Sequence, residues 1–147
     1  MAQAIATLKN TFPSLSEETT TGALLVEASD IKKACQFLKE NLHFEQLACI
    51  SAIDYKDKFA IVYNLYSYTT KEKITLKVFL DKNSPSVESI TPLWPAADWH
   101  EREAFDMMGI TFINHPDLRR ILLPDDWTQH PLRKDYSNEN FVRMPSI

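Results

Sequence analysis

Proline placement between Glu101 and Tyr136 constrains this chain more than any other feature. The segment reads EREAFDMMGITFINHPDLRRILLPDDWTQHPLRKDY, with prolines at 116, 124 and 131. A proline lacks an N–H and holds the residue before it in extended backbone. His115-Pro116 and His130-Pro131 are therefore extended or turn dipeptides, and no helix or central strand can run through the strip. Its backbone groups must go to water or to a partner. Leu118, Ile121, Leu122, Leu123, Trp127 and Leu132 are nevertheless too apolar for a solvated tail. Arg119-Arg120 and Arg133-Lys134 stand among Asp117, Asp125, Asp126 and Asp135. One reading is ion pairing contained within the strip. The other is a docking surface with apolar anchors and an Arg-rich rim, and the apolar side chains favour it.

Glycine is scarce, with Gly22 and Gly109 the only two in 147 residues. Phosphate-cradling loops such as GxGxxG need several glycines for steric reasons, so no nucleotide or dinucleotide fingerprint can be written. The two cysteines, Cys35 and Cys49, are too few for an iron–sulfur cluster on their own and form no CxxC pair for zinc. A net charge of −4 from mixed residues gives no basic footprint for nucleic acid. No apolar run is long enough to span a bilayer, and MAQAIATLKNTF has neither the basic start nor the apolar centre of a signal peptide. A cytoplasmic location is expected, with membrane association only through a partner.

Hydrophobic periodicity predicts a short helix from Ala2 to Asn10, a loop over 14–21 and a strand from Ala23 to Glu27. Ser29 or Asp30 is expected to cap a helix reaching Glu40, with Ile31, Ala34, Cys35 and Leu38 inward. Leu47 to Ile53 has strand length. Lys58–Tyr68 and Lys73–Leu80 alternate at period two around Thr69–Glu72, which predicts a hairpin with Lys71, Lys73 and Lys77 along its open face. Asp81 to Ser86 reads as a turn, and Val87 to Leu93 as a short helix or irregular bridge. Pro95 to Met108 is helical, with proline in the first turn and Gly109 past the end. The expected fold is α+β: a small, mainly antiparallel sheet with helices on one side, followed by an irregular Pro-rich C-terminal segment. Residues 1–112 form the α+β part, and residues 113–147 a partner-docking segment of the same domain.

On the last helix Ala97, Ala104, Phe105 and Met108 make an apolar stripe that includes Glu101. Arg102 and Asp106 are expected opposite it as an exposed pair at i, i+4, with Glu103 beside them. A buried Glu101 would need a cation, and Arg119, Arg120, Arg133 or Lys134 would tie the strip to the domain through it. The alternative is that Glu101 sits at the stripe's edge and reaches water. Catalytic readings are weak. His100-Glu101 begins like a zincin helix, but HExxH needs histidine where Ala104 stands. No pair of ExxH motifs exists for a di-metal site. Glu101 and Glu103 point too far apart to act as one acid/base pair.

These residues resemble the C-subunit family of the proton-pumping NADH:quinone oxidoreductase, respiratory complex I. The family signature is E-R-E, two residues, an acid, two apolar residues, a histidine or lysine, then a basic residue before an aliphatic pair. Glu101-Arg102-Glu103, Asp106, Met107-Met108, His115, Arg119 and Ile121-Leu122 match it. Pro131 to Tyr136, PLRKDY, matches the family's closing motif, and Trp94-Pro95-Ala96-Ala97-Asp98-Trp99 its lead into the helix. Gln129 departs from the glycine usual before His130.

The resemblance implies a cofactor-free subunit in the peripheral arm on the cytoplasmic side of the inner membrane. NADH, FMN, iron–sulfur clusters and quinone would lie on partner subunits. This chain would brace the quinone-site and iron–sulfur subunits without being catalytic in isolation. The residues implied in that interface or its supporting motif are Glu101, Arg102, Glu103, Asp106, His115, Pro116, Arg119, Arg120, Trp127, Pro131, Arg133, Lys134, Asp135 and Tyr136. The same resemblance extends to subunits of energy-converting hydrogenases and other donor-specific dehydrogenases. An independent metal-dependent hydrolase is the remaining alternative.

Overall fold

Alternation of apolar and polar residues builds the sheet at the centre of the molecule. The computed structural model describes residues 2–137. Strands β4 (Lys58–Tyr66) and β5 (Lys73–Asp81) form the expected hairpin, in register from Lys58 opposite Asp81 to Tyr66 opposite Lys73. Two further strands flank them. β2 (Leu24–Leu25) runs parallel to β5 and carries the two-residue β1 (Ser16–Glu17) antiparallel to it. β3 (Gln46–Asp54) runs antiparallel to β4, with a bulge between Leu47 and Cys49. The sheet order is β1-β2-β5-β4-β3, which leaves β3 at one edge.

One face of the hairpin presents Phe59, Ile61, Tyr63 and Leu65 opposite Leu80, Val78, Leu76 and Ile74, and all eight are buried. The helices supply the other side of the same core: Leu8 from α1 (Ala2–Thr11), Ile31, Ala34, Cys35 and Leu38 from α2 (Ile31–Asn41), and Ala97 and Ala104 from α3 (Ala97–Met108). Burying large aliphatic and aromatic side chains in this way is the main force holding such a domain together. The expected α+β arrangement, with helices against one face, is what forms.

Several local expectations are corrected. Lys77 does not stand on an open face: it is buried, bonded to Glu18 Oε1 at 2.8 Å and to the Tyr55 hydroxyl at 3.1 Å. Glu18 sits in the loop expected to be merely polar, and the ion pair explains why a lysine is tolerated there. Asp30 occupies the N-cap position of α2, but its side chain makes no capping bond and lies 3.4 Å from Lys33 Nζ instead. β6 (Ser86–Glu88) spans the end of the expected turn and the start of the stretch read as a short helix or bridge, and it pairs in parallel with β7 (Thr111–Ile113). Helix α3 begins at Ala97 rather than Pro95, and the Trp94 indole N–H donates to the Glu45 carbonyl at 2.9 Å just ahead of it. Gly109 ends the helix as expected, left-handed at φ 69° and ψ 34°, with its N–H on the Phe105 carbonyl. After β7 the chain turns through left-handed Asn114 and continues to Ser137 in turns and bends.

One core polar group stands unmatched. The Tyr63 hydroxyl is buried with no hydrogen-bond partner among the described residues, and burial raises its pKa well above the ordinary phenol value. Removing a buried, unsatisfied hydroxyl costs nothing and relieves desolvation. Tyr63→Phe is expected to leave stability unchanged or raise it by about 1 kcal/mol in urea unfolding. A loss of similar size would mean the hydroxyl is satisfied.

Candidate docking surface

Helix α3 ends inside the molecule, so its last carbonyls need partners other than water. The proline-broken strip supplies them. The Asp106 carbonyl lies 3.0 Å from His130 Nδ1 and 3.2 Å from Arg120 Nη1. The Met107 carbonyl accepts the Leu132 N–H at 3.1 Å, and the Met108 carbonyl accepts Arg133 Nε at 2.6 Å. Arg133 also stacks over the Phe59 ring, 5.2 Å from its centroid. A Cβ on Gly109 would lie 2.5 Å from Arg133 Nη2 and 2.5 Å from His130 Nε2, so the strip closes against a surface only glycine provides.

The strip's own backbone is held in return. Asp106 is fully buried, and its Oδ2 accepts three successive N–H groups, Ile121 at 3.1 Å, Leu122 at 2.8 Å and Leu123 at 2.9 Å. Its Oδ1 accepts Arg120 Nη1 at 2.6 Å. Burial alone would raise this carboxyl, but the Leu123, Leu122 and Ile121 N–H groups and Arg120 outweigh it and hold Asp106 below the ordinary aspartate value. Arg102 completes the clamp from the same helix, donating from Nε to the Arg119 carbonyl at 3.2 Å and from Nη2 to the Arg120 carbonyl at 3.1 Å. Further along, the Lys134 N–H donates to Asp54 Oδ2 at 2.7 Å, and Lys82 bridges Asp54 at 3.1 Å to Asp135 at 3.6 Å.

The expected roles on α3 are therefore exchanged. Arg102 and Asp106 do not form an exposed pair; both are buried and both grip the strip. Glu101 is buried too, yet none of Arg119, Arg120, Arg133 or Lys134 reaches it. Its Oε2 accepts the Ser89 hydroxyl at 2.6 Å and the Thr91 hydroxyl at 3.2 Å, and its Oε1 accepts the Ile90 N–H at 2.8 Å. Burial raises the Glu101 carboxyl above its ordinary value, against the lowering effect of these donors and of His115. Glu101 thus secures the connection after β6 to α3. The helix is rotated from the expected stripe: Met107 is buried with Ala97 and Ala104, while Phe105 and Met108 are only half-buried.

The remaining residues fall into two groups. The His115 ring is enclosed, with Nδ1 accepting the Asp117 N–H at 3.0 Å and Nε2 lying 3.3 Å from Asp98 Oδ1 without hydrogen-bond geometry. Trp127 is half-buried, its indole N–H enclosed without a partner among the described residues. Pro131 and Tyr136 are half-buried, and the Tyr136 N–H donates to the Arg133 carbonyl at 3.1 Å. Glu103, Pro116, Arg119, and the side chains of Lys134 and Asp135 face outward, Arg119 paired with Asp117 at 2.7 Å. Leu122, Trp99 and Leu132 are 63%, 61% and 55% exposed on the strip and the adjoining helix. The sequence reading missed Asp54, Lys82 and Ser89, since one acid closing a strand or one serine after another carries no local signal.

Among the described residues, no group of three or more His, Cys, Asp or Glu side chains is placed to hold a metal ion. No helix there is long and apolar enough to cross a membrane.

A family model described as the respiratory-chain NADH dehydrogenase 30 kDa subunit matches residues 24–142. An NADH-quinone oxidoreductase C subunit from Geotalea uraniireducens is 43% identical over 83% of this chain and 76% of its own length. One from Moorella thermoacetica is 46% identical over 90% of this chain and 92% of its own. Among solved structures, the trypsin-resistant fragment of Nqo5 is 25% identical and superposes with a TM-score of 0.68 over 80% of this chain and 98% of that one.

The two buried carboxylates of α3 make opposite contributions to stability as pH changes. Asp106, lowered in the fold, stabilises above about pH 4, its unfolded value, and that contribution is lost as pH falls through the folded value. Asp106→Ala leaves three N–H groups unmatched, and is expected to cost about 3 kcal/mol in urea unfolding at pH 7 and to flatten the acid-side loss. Equal slopes for variant and parent below pH 4 would contradict this assignment. Glu101, raised in the fold, costs stability as pH climbs from about 4 through its folded value. Glu101→Gln is expected to reduce that decline, read as melting temperature against pH.

Proposed function

Because this chain belongs to the family of the respiratory-chain NADH dehydrogenase 30 kDa subunit, we propose that its work is to lock neighbouring subunits together. It is a peripheral-arm subunit of an NADH:quinone oxidoreductase and takes part in an enzyme complex whose partners carry the cofactors. This chain binds no NADH, FMN, iron–sulfur cluster or quinone itself. Residues 113–147, of which 138–147 lie outside the described residues, form its docking segment, continuous with the α+β part. The subunits it meets are those forming the quinone site and carrying iron–sulfur clusters, on the cytoplasmic side of the membrane.

One observation carries the reading. The strip is fixed by Asp106, Arg102 and Asp54 through its backbone, while Leu122 and Leu132 remain turned outward. A segment rigidified from inside with apolar groups left outside suits recognition, because the ordering cost is met before a partner arrives. Exposed Leu122, Leu132 and Trp99, together with the exposed Arg119, have the composition of an interface centre with a polar rim. A catalytic role lacks comparable support, since the buried carboxylates are each committed to backbone or hydroxyl donors.

Leu122→Asp and Leu132→Asp are expected to leave the melting temperature of the isolated chain within about 2 °C of the parent, as exposed substitutions do. In cells each is expected to reduce assembled complex several-fold, read by native-gel mass spectrometry, with an unchanged KM for the electron donor in the complex that remains. Full assembly of the double variant would count against this surface.

A further inference from the structure

β3 ends the five-stranded sheet, and among the described residues no strand pairs with its outer side. Natural edge strands are guarded by charges, proline, bulges or shortness. This one is nine residues long and carries no charge or proline from Gln46 to Ile53. Its single bulge lies at the start, between Leu47 and Cys49, and from Cys49 to Asp54 the pairing with β4 is regular. An edge left this open is a template for another chain.

A groove of about 220 Å³ runs beside it. Ile50, Ser51 and Ala52 all line this groove. Side chains alternate between the two faces of a strand, so three consecutive residues meet one groove along their backbone edge. The far wall is α3, through His100, Glu103 and Met107, and Leu132 of the strip closes one end. The volume is small for a substrate pocket, whereas the row of backbone groups suits an extended peptide. Glu103 is exposed and has no ion-pair or hydrogen-bond partner among the described residues, so a basic residue on the incoming strand would match it. Leu132 also belongs to the outward surface of the strip, which makes the groove continuous with that surface.

We propose that the Cys49–Asp54 edge of β3 is completed in the assembled enzyme by an extended segment of a neighbouring subunit, added as a sixth strand in the groove beside α3. Backbone hydrogen bonds supply the binding, apolar side chains meet Met107 and Leu132, and a lysine or arginine faces Glu103. The proposal rests on the reading that this chain works bound to neighbouring subunits.

Residue-resolved hydrogen–deuterium exchange of the isolated full chain and of the purified complex tests it. In the isolated chain, amides of 49–54 that face away from β4 exchange freely, and those bonded to β4 are protected. In the complex, the outward amides are expected to slow at least about tenfold, at alternate residues. A chain that enters the complex with those amides still fast overturns this proposal and leaves the docking reading standing. A chain that enters no complex overturns both. Protection already present in an isolated chain of dimeric mass assigns the edge to a second copy and overturns the neighbouring-subunit strand.

Discussion

The Asp106 carboxylate is the point on which the outer half of this molecule depends. A proline-rich strip cannot satisfy its N–H groups by forming a helix or sheet, and a buried helix end cannot satisfy its carbonyls with water. In this fold each deficit answers the other. One oxygen of Asp106 gathers three successive N–H groups from 121 to 123, and the carbonyls of 106 to 108 accept from His130, Arg120, Leu132 and Arg133. The carboxylate is stable in its charged form because donors outweigh its desolvation, the condition under which buried charge is tolerable.

Glu101, somewhat more than one turn earlier on the same helix, obeys different terms. It too is fully buried, but its donors are two hydroxyls and one N–H, with His115 Nε2 3.9 Å away and no lysine or arginine in contact among the described residues. Desolvation prevails there, so the same helix holds one carboxyl pushed up and another pulled down. The pair divides the labour: Glu101 fixes α3 to the segment after β6, and Asp106 fixes the strip to α3. A charged helix that looks solvated in sequence is in fact buried along two faces.

Much of this was legible from residues alone. Period-two alternation identified the hairpin, helical spacing identified α2, and Gly109 identified the end of α3. The E-R-E motif and PLRKDY pointed to the family. What escaped was the rotation of α3, because Arg102 and Asp106 have the i, i+4 spacing of an ordinary surface pair and only tertiary context buries them. The parallel pairing of β6 with β7 also escaped, since three-residue strands separated by a whole helix leave no periodic trace. Asp54 was unreadable for a related reason. Its partner, the Lys134 N–H, lies 80 positions away, and backbone donors have no sequence signature.

That long-range bond has a temporal consequence. Asp54 terminates a strand of the sheet and Asp106 sits on the helix packed against it, so neither anchor exists until the α+β core has assembled. The strip is then expected to order after that core, because its loop closures gain nothing beforehand. On the proposed docking role, that surface would serve as a certificate of completed folding. Copies with an unfinished core would then lack the ordered strip on which that role depends.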